Sequence, residues 1–166
     1  MRQDTWNPKP LNIAVVTVSS RRTEADDSSG DLIRSLVTGA GHQVVASAIK
    51  HGDRQQMQDF LASWINDPEI NVIISNGGTG ITDMMPEALG PLLDHEIPGF
   101  AQLFQLVSYE DIGSSGMLSR AMAGLANNTL VFLMPGSNAG TRLTMEKLVI
   151  PQLNEQTKPC ALVGLV

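Results

Sequence analysis

Short runs of apolar, largely β-branched residues recur along the chain, and segments with helical spacing separate them. The runs occupy residues 11–18, 42–49, 72–74 and 130–134. Strands that are apolar on both faces are typical of parallel sheets covered by helices on each side. The sequence therefore predicts an α/β fold, a three-layer α/β/α sandwich with a mainly parallel sheet.

The segments between these runs carry helix signals. Ser29 is predicted to cap the first helix and Asp53 the second. Pro86 is expected in the first turn of a short helix, and a further short helix is expected over residues 119–126. No strand is predicted between residues 98 and 126, and Pro151 is expected to bend or interrupt the last helix.

The length of 166 residues suits one domain, predicted over residues 11–166 after an extended N-terminal leader over residues 1–10. The excess of 17 acidic over 11 basic residues gives a net charge of -6, which argues against nucleic-acid binding. No stretch reaches the roughly 18 apolar residues of a membrane span. Cys160 is the single cysteine, so no intrachain disulfide can form, and a cytoplasmic location is expected.

The loops that follow the predicted strands are candidates for a binding site, because ligands of parallel sheets bind at the carboxyl edge. Gly77-Gly78-Thr79-Gly80 provides close backbone approach, as a phosphate cradle requires, although a tight strand-to-helix turn explains it equally well. Pro135-Gly136-Ser137 opens a helix, where N–H groups favour an anion; Ser137 could equally be a simple N-cap.

Carboxylates next to these loops point to a divalent cation. Asp83 is the best candidate for Mg²⁺, since it lies three residues after Gly80; the alternative is a helix cap before Pro86. Asp27 follows the first strand, where a helix start explains it without function. The three histidines lack the spacing of zinc ligands.

Several motifs in order along the chain resemble one known family. They are Asp27-Ser28-Ser29-Gly30, Ser75-Asn76-Gly77-Gly78-Thr79-Gly80, Pro86-Glu87-Ala88-Leu89, Leu118-Ser119-Arg120-Ala121 and Met134-Pro135-Gly136-Ser137. Together they are similar to molybdenum cofactor biosynthesis proteins of the MoaB/MogA type, over residues 12 to about 160.

The resemblance implies a molybdopterin-binding α/β/α protein that assembles as a trimer or hexamer. It also implies an adenylyltransferase that uses Mg-ATP to adenylylate the terminal phosphate of molybdopterin, with no permanently bound cofactor. Asp83 and Asp53 are the implied catalytic residues, and Asp83 the implied Mg²⁺ ligand. The implied substrate-binding residues are Asp27, Ser29, Gly30, Gly77, Gly78, Thr79, Gly80, Pro86, Glu87, Ser119, Arg120, Pro135, Gly136 and Ser137.

The chain departs from the adenylylating relatives at two places. The segment between Gly80 and Pro86 is about two residues short, and Met85 replaces the usual threonine. The relatives' functional aspartate after the second strand falls on Gly52, beside Asp53. These departures keep a second hypothesis open, a non-catalytic molybdopterin carrier or scaffold, and a third is an unrelated nucleotide-binding switch.

Overall fold

The computed structural model describes residues 9–166, so most of the expected leader lies outside the described residues. The strands are β1 (Asn12–Val18), β2 (Gln43–Lys50), β3 (Val72–Asn76), β4 (His95–Glu96), β5 (Met122–Ala126) and β6 (Thr129–Met134). The helices are α1 (Ser28–Gly39), α2 (Arg54–Ile65), α3 (Met85–Leu89), α4 (Pro98–Ile112), α5 (Asn138–Thr144) and α6 (Ile150–Gln152). Short 3₁₀ segments span Gly90–Leu92, Gly113–Leu118 and Leu162–Leu165, and a π-helical stretch at Met145–Val149 joins α5 to α6.

All six strands belong to one sheet, in the order β2-β1-β3-β6-β5-β4. β1 pairs in parallel with β2 and β3, and β3 pairs in parallel with β6. β5 pairs antiparallel with both β6 and β4, so it alone runs against the other strands. The prediction of a mainly parallel sheet is confirmed.

Helices cover both faces of the sheet, so the central strands β1, β3 and β6 are buried on both faces, whereas the edge strand β2 alternates between exposed and partly buried residues. Ile13 and Val15 of β1 pack in the core beneath α1, α4 and α5. Ala14 and Val16, whose side chains point the other way, pack in a second core beneath α2 and α3. The three-layer sandwich is confirmed. No helix within residues 9–166 is long and apolar enough to cross a membrane.

The prediction of a helix over residues 119–126 is wrong, because the second half of that segment is β5. Asn127 and Asn128 have φ values of 46° and 63° and connect Ala126 to Thr129 in a two-residue hairpin. Turns with positive φ at both central positions match the twist of paired strands, and asparagine accepts that conformation. Pairing with buried β6 outweighs the helix preference of this alanine-containing segment.

The helix ends agree with the sequence signals at most positions. The first helix is capped by Asp27, not Ser29, since the Asp27 carboxylate accepts the Gly30 N–H at 3.1 Å. Asp53 caps α2 as predicted, in a capping box with Gln56. Pro151 follows the π-helical stretch, so the regular α-helix is interrupted before it, as predicted.

His42 joins separate segments at the base of the first core. Its side chain is buried, and its Nδ1 atom accepts the Leu11 N–H at 3.2 Å. Burial lowers the pKa of His42 below its ordinary value, and a backbone hydrogen bond with Leu153 partly opposes that shift. The folded protein therefore holds this ring neutral.

We expect the protein to lose stability as the pH falls below about 6.5, the ordinary pKa of histidine. The unfolded chain binds a proton there more readily than the folded one, so the His42 contribution is fully present above that pH and is lost as the pH falls through the folded-state value. One such group changes the free energy of unfolding by at most about 1.4 kcal/mol per pH unit. Urea unfolding at pH 7.5 and 5.5 checks this. His42→Asn, which keeps an acceptor for Leu11, should show a weaker pH dependence, and an unchanged dependence would contradict the assignment.

Candidate functional site

Three loops meet at the carboxyl edge of the sheet, around Gly77. Gly77 has a φ of 97°, and a Cβ atom there would lie 2.3 Å from the carbonyl oxygen of Val18, at the end of β1. A Cβ atom on Gly136, in the loop after β6, would lie 3.1 Å from the Gly77 Cα. The predicted convergence of the loops after β1, β3 and β6 is therefore confirmed.

The glycine loop, residues 77–80, uses part of its hydrogen-bonding capacity internally. The Gly77 N–H donates to the Met134 carbonyl at 2.9 Å, and the Gly80 N–H donates to Asp83 Oδ2 at 2.8 Å. Among residues 9–166, the N–H groups of Gly78 and Thr79 have no hydrogen-bond acceptor. The loop therefore offers fewer unpaired N–H groups than its three glycines in four positions suggest.

The segment before β5 lies beside this loop. Thr79 Oγ1 is 2.9 Å from Ser119 Oγ, and the Arg120 N–H donates to the Thr79 carbonyl at 2.8 Å. Because β5 runs against the other strands, the residues that precede it reach the edge at which the parallel strands end. Ser119 and Arg120 thus join the site despite belonging to neither strand-to-helix loop.

Arg120 braces the far end of the glycine loop. Its guanidinium donates to the Gly80 carbonyl at 3.1 Å, to the Asp83 carbonyl and to the Glu87 carboxylate. The hydrogen bond with Arg120 lowers the pKa of Glu87 and raises that of Arg120. Pro86 and Glu87 begin α3, so this ion pair connects that helix to the loop. Glu87 therefore balances the charge of Arg120.

Asp27 is a structural centre of the loop after β1. Its carboxylate is 1% exposed, accepts the Thr17 hydroxyl at 2.9 Å and lies 3.5 Å from Arg34. A Cβ atom on Gly30 would lie 1.9 Å from Asp27 Oδ2, so this carboxylate requires glycine at position 30. The burial of Asp27 keeps it from a ligand in the clefts described below.

Two polar contacts that the sequence patterns did not assign hold the loops together. The Asn76 amide, at the end of β3, donates to Ser29 Oγ at 2.7 Å, while its buried Oδ1 has no partner among the described residues. Arg22 donates to Ser28 Oγ at 2.8 Å and reaches the Gly136 carbonyl at 3.4 Å. Asn76 could have been identified from the sequence, because it is a polar residue at the end of an otherwise apolar strand. No sequence pattern distinguishes Arg22.

Two open clefts lie near the glycine loop. The wide cleft, about 470 Å³, is lined by residues that include Arg21, His51, Gly52, Gly78 and Asp83. The narrow cleft, about 200 Å³, is lined by residues that include Phe104, Asp111, Ser119, Pro135 and Ser137. The glycine loop lines the wide cleft directly through Gly78, and it is connected to the narrow cleft by the contact between Thr79 and Ser119.

The two candidate catalytic carboxylates have different surroundings in the structure. Asp83 is exposed in the wide cleft, and it does not cap a helix, since Met84 is the N-cap of α3. Asp53 accepts the Gln56 N–H at 2.9 Å and serves as the cap of α2. Within residues 9–166 no group of three or more His, Cys, Asp or Glu side chains could hold a metal ion. Asp83 fits Mg²⁺ as one ligand beside substrate phosphates, which is how proteins commonly hold this ion.

Ser137 combines two roles that the sequence left as alternatives. Its hydroxyl accepts the Gly140 N–H at 3.1 Å and caps α5, so the simple capping role is confirmed. The same residue lines the narrow cleft next to Ser119 and Pro135. Capping does not remove Ser137 from the cleft.

Comparison with known proteins identifies the family to which these motifs belong. Residues 14–155 match the family described as a probable molybdopterin binding domain. The chain belongs to this family. It is 45% identical to molybdenum cofactor biosynthesis protein B of Escherichia coli strain K12 over 153 residues, which cover 91% of this chain and 90% of the relative.

Solved structures agree with this family at the level of the fold. A crystal structure of molybdenum cofactor biosynthesis protein B has a TM-score of 0.86 and 44% identity, covering 89% of this chain and 94% of that one. The tungsten cofactor synthesizing protein MoaB from Pyrococcus furiosus has a TM-score of 0.75 and 32% identity, covering 84% of this chain and 91% of that one. The resemblance inferred from the sequence motifs is confirmed.

We expect Gly77→Ala to destabilise the protein, because position 77 has positive φ and faces a backbone carbonyl. The backbone conformation alone should cost about 1–3 kcal/mol, and the clash adds to it. Chemical unfolding measures the change. Gly39→Ala is the matched control, since a Cβ atom there meets nothing within 4 Å. Equal stability of the two variants would show that the loops do not meet at Gly77 as described.

Proposed function

We propose that this protein binds molybdopterin and adenylylates its terminal phosphate with Mg-ATP. The observation that supports this is the pair of clefts near the glycine loop, with Gly78 lining one and Ser119, in contact with Thr79, lining the other. A reaction that joins two phosphorylated substrates needs such an arrangement. The family described as a probable molybdopterin binding domain supplies the identity of one substrate.

In the proposed reaction an oxygen of the molybdopterin phosphate attacks the α-phosphorus of ATP. A new phosphate–oxygen–phosphorus link forms, the bond between the α- and β-phosphates breaks, and pyrophosphate leaves with that electron pair. The N–H groups of Gly78 and Thr79 hold the phosphates at the shared loop. Transfers of this kind depend on positioning and charge stabilisation and need no nucleophilic side chain.

The wide cleft suits the nucleotide. Arg21 and His51 supply positive or hydrogen-bonding groups for its phosphates, and Asp83 supplies the carboxylate for Mg²⁺. A Mg²⁺ ion held beside Asp83 would supply positive charge to the phosphates of the nucleotide. The protein holds Asp83 in position through two hydrogen bonds. The Gly80 N–H donates to its carboxylate, and Arg120 donates to its carbonyl oxygen.

A non-catalytic molybdopterin carrier is the second candidate, favoured by Gly52. This residue lines the wide cleft where the adenylylating relatives have an aspartate. A Cβ atom at Gly52 would lie 2.5 Å from Gln56 Oε1, so the capping box of α2 occupies the space of such a side chain. A carrier would bind molybdopterin in the narrow cleft, and no reaction would take place in the wide cleft.

Incubation of the purified protein with molybdopterin, ATP and Mg²⁺ decides between the two functions. An adenylyltransferase releases pyrophosphate and forms adenylylated molybdopterin, both of which chromatography detects. Binding of molybdopterin without turnover would overturn the enzyme and support the carrier. Binding of ATP with no affinity for molybdopterin would overturn both and favour a nucleotide-binding switch.

Asp83→Asn should lower the rate of adenylylation by about 10²–10³, because it removes the charge that holds Mg-ATP. Molybdopterin binding should change little, since Asp83 lies in the other cleft. Asp53→Asn is the matched control for the second candidate carboxylate. Asparagine also caps helices, so this variant removes only the charge. Unchanged turnover in Asp83→Asn would refute the assigned role, and a large loss in Asp53→Asn would assign the role to Asp53 instead.

We also propose a homo-oligomer, a trimer or hexamer, in the cytoplasm. Apolar side chains at three-residue spacing lie more than half exposed along α4, namely Leu103, Leu106, Tyr109 and Ile112. A row of this size on a helix is typical of a surface that another subunit covers. Contact with a further copy of the chain would remove it from water.

Native mass spectrometry should give three or six times the chain mass of 17.8 kDa. Leu106→Glu should shift the distribution toward smaller species, because it places a charge in the apolar row. Ser63→Glu adds the same charge at an exposed polar position of α2, which packs on the other face of the sheet, and should leave the assembly intact. A monomeric wild-type protein, or equal behaviour of the two variants, would count against this interface.

A further inference from the structure

The narrow cleft has mainly apolar walls and one charged side chain among the described residues that line it. Phe104, Pro135 and Leu143 supply apolar walls, whereas Ser119 and Ser137 lie toward the glycine loop. Asp111 is the single charged residue among the described residues that line it. A planar ring with an anionic tail fits such a cleft in one orientation.

Asp111 lies in the last turn of α4, a helix of 15 residues. The carbonyl groups at a helix C-terminus carry partial negative charge, which adds to the field of the carboxylate. The surroundings of Asp111 therefore disfavour a phosphate and favour a ligand edge that presents hydrogen-bond donors. The serine hydroxyls near the glycine loop are better suited to the phosphate.

We propose that Asp111 binds the donor edge of the pterin ring and so selects the heterocycle of the substrate. A pterin carries an amino group at C2 next to the N3–H, and these two parallel donors match the two oxygens of one carboxylate. The inference rests on the proposed function and assigns to this residue the recognition of the ring rather than of the phosphate.

The proposed pairing gives selectivity against related heterocycles. Lumazine has an oxygen at C2 in place of the amino group, so it offers one donor flanked by acceptors. A carbonyl oxygen placed against the carboxylate is repelled, and one carboxylate oxygen is left without a hydrogen-bond donor. Polar sites reject close analogues in this way. The wild-type protein should therefore prefer pterin to lumazine.

The test measures molybdopterin affinity by fluorescence titration, together with competition by pterin and by lumazine. Asp111→Asn should weaken molybdopterin binding about tenfold or more and remove the preference for pterin. Asp111→Glu, which restores a carboxylate, should recover most of both. Glu110→Gln removes a neighbouring exposed charge outside the cleft and should match the wild type. Thermal unfolding confirms that each variant is folded, as expected at an exposed position.

Two results would overturn the proposal. If Asp111→Asn binds molybdopterin as tightly as the wild type and keeps its preference for pterin, Asp111 does not read the ring, and the proposed function is unaffected. If the wild-type protein binds no molybdopterin, the proposed function and this inference fail together. The first result leaves the ligand in place and the second does not, so the two failures are distinguishable.

Discussion

The edge of the sheet is held together by a close backbone approach at Gly77. The end of β1 and the loops after β3 and β6 meet there, with space for a hydrogen atom where any other residue would place a carbon atom. Contacts at this distance let Arg22, Asn76 and Ser29 connect the same loops through short hydrogen bonds. The loops therefore form one rigid rim on which both clefts depend.

Much of the fold follows from local sequence patterns, because the buried strands are apolar on both faces and the helices carry recognisable ends. The exception, β5, has an alanine-containing sequence with no strand signal of its own. Its conformation is imposed by β6 through pairing across the Asn127-Asn128 turn. Tertiary pairing of this kind cannot be read from hydrophobic periodicity, although two consecutive asparagines between apolar residues were a usable hairpin signal.

The candidate site was only partly accessible to the same reasoning. Glycine loops and helix starts are visible in sequence, and their convergence follows from the order of parallel strands. The sequence does not reveal which charged side chains pair with other residues of the protein. Arg120 pairs with a residue far away along the chain, and Asp27 has a buried partner. Arg120 forms an ion pair with Glu87, and Asp27 is a buried cap of α1. With a net charge of -6, the proposed phosphate binding depends on backbone N–H groups more than on free cations.

The reversed direction of β5 makes the site sensitive to the opposite edge of the sheet. Ser119 stands beside Thr79 because five residue pairs, from Met122 with Leu133 to Ala126 with Thr129, fix how far β5 extends toward that edge. The Asn127-Asn128 turn sets this register from the far end of the strand. A residue inserted into that turn would slide the strand, invert which face each β5 side chain occupies and withdraw Ser119 from the glycine loop. The length of the Asn127-Asn128 turn thus affects the position of Ser119 from the opposite end of β5.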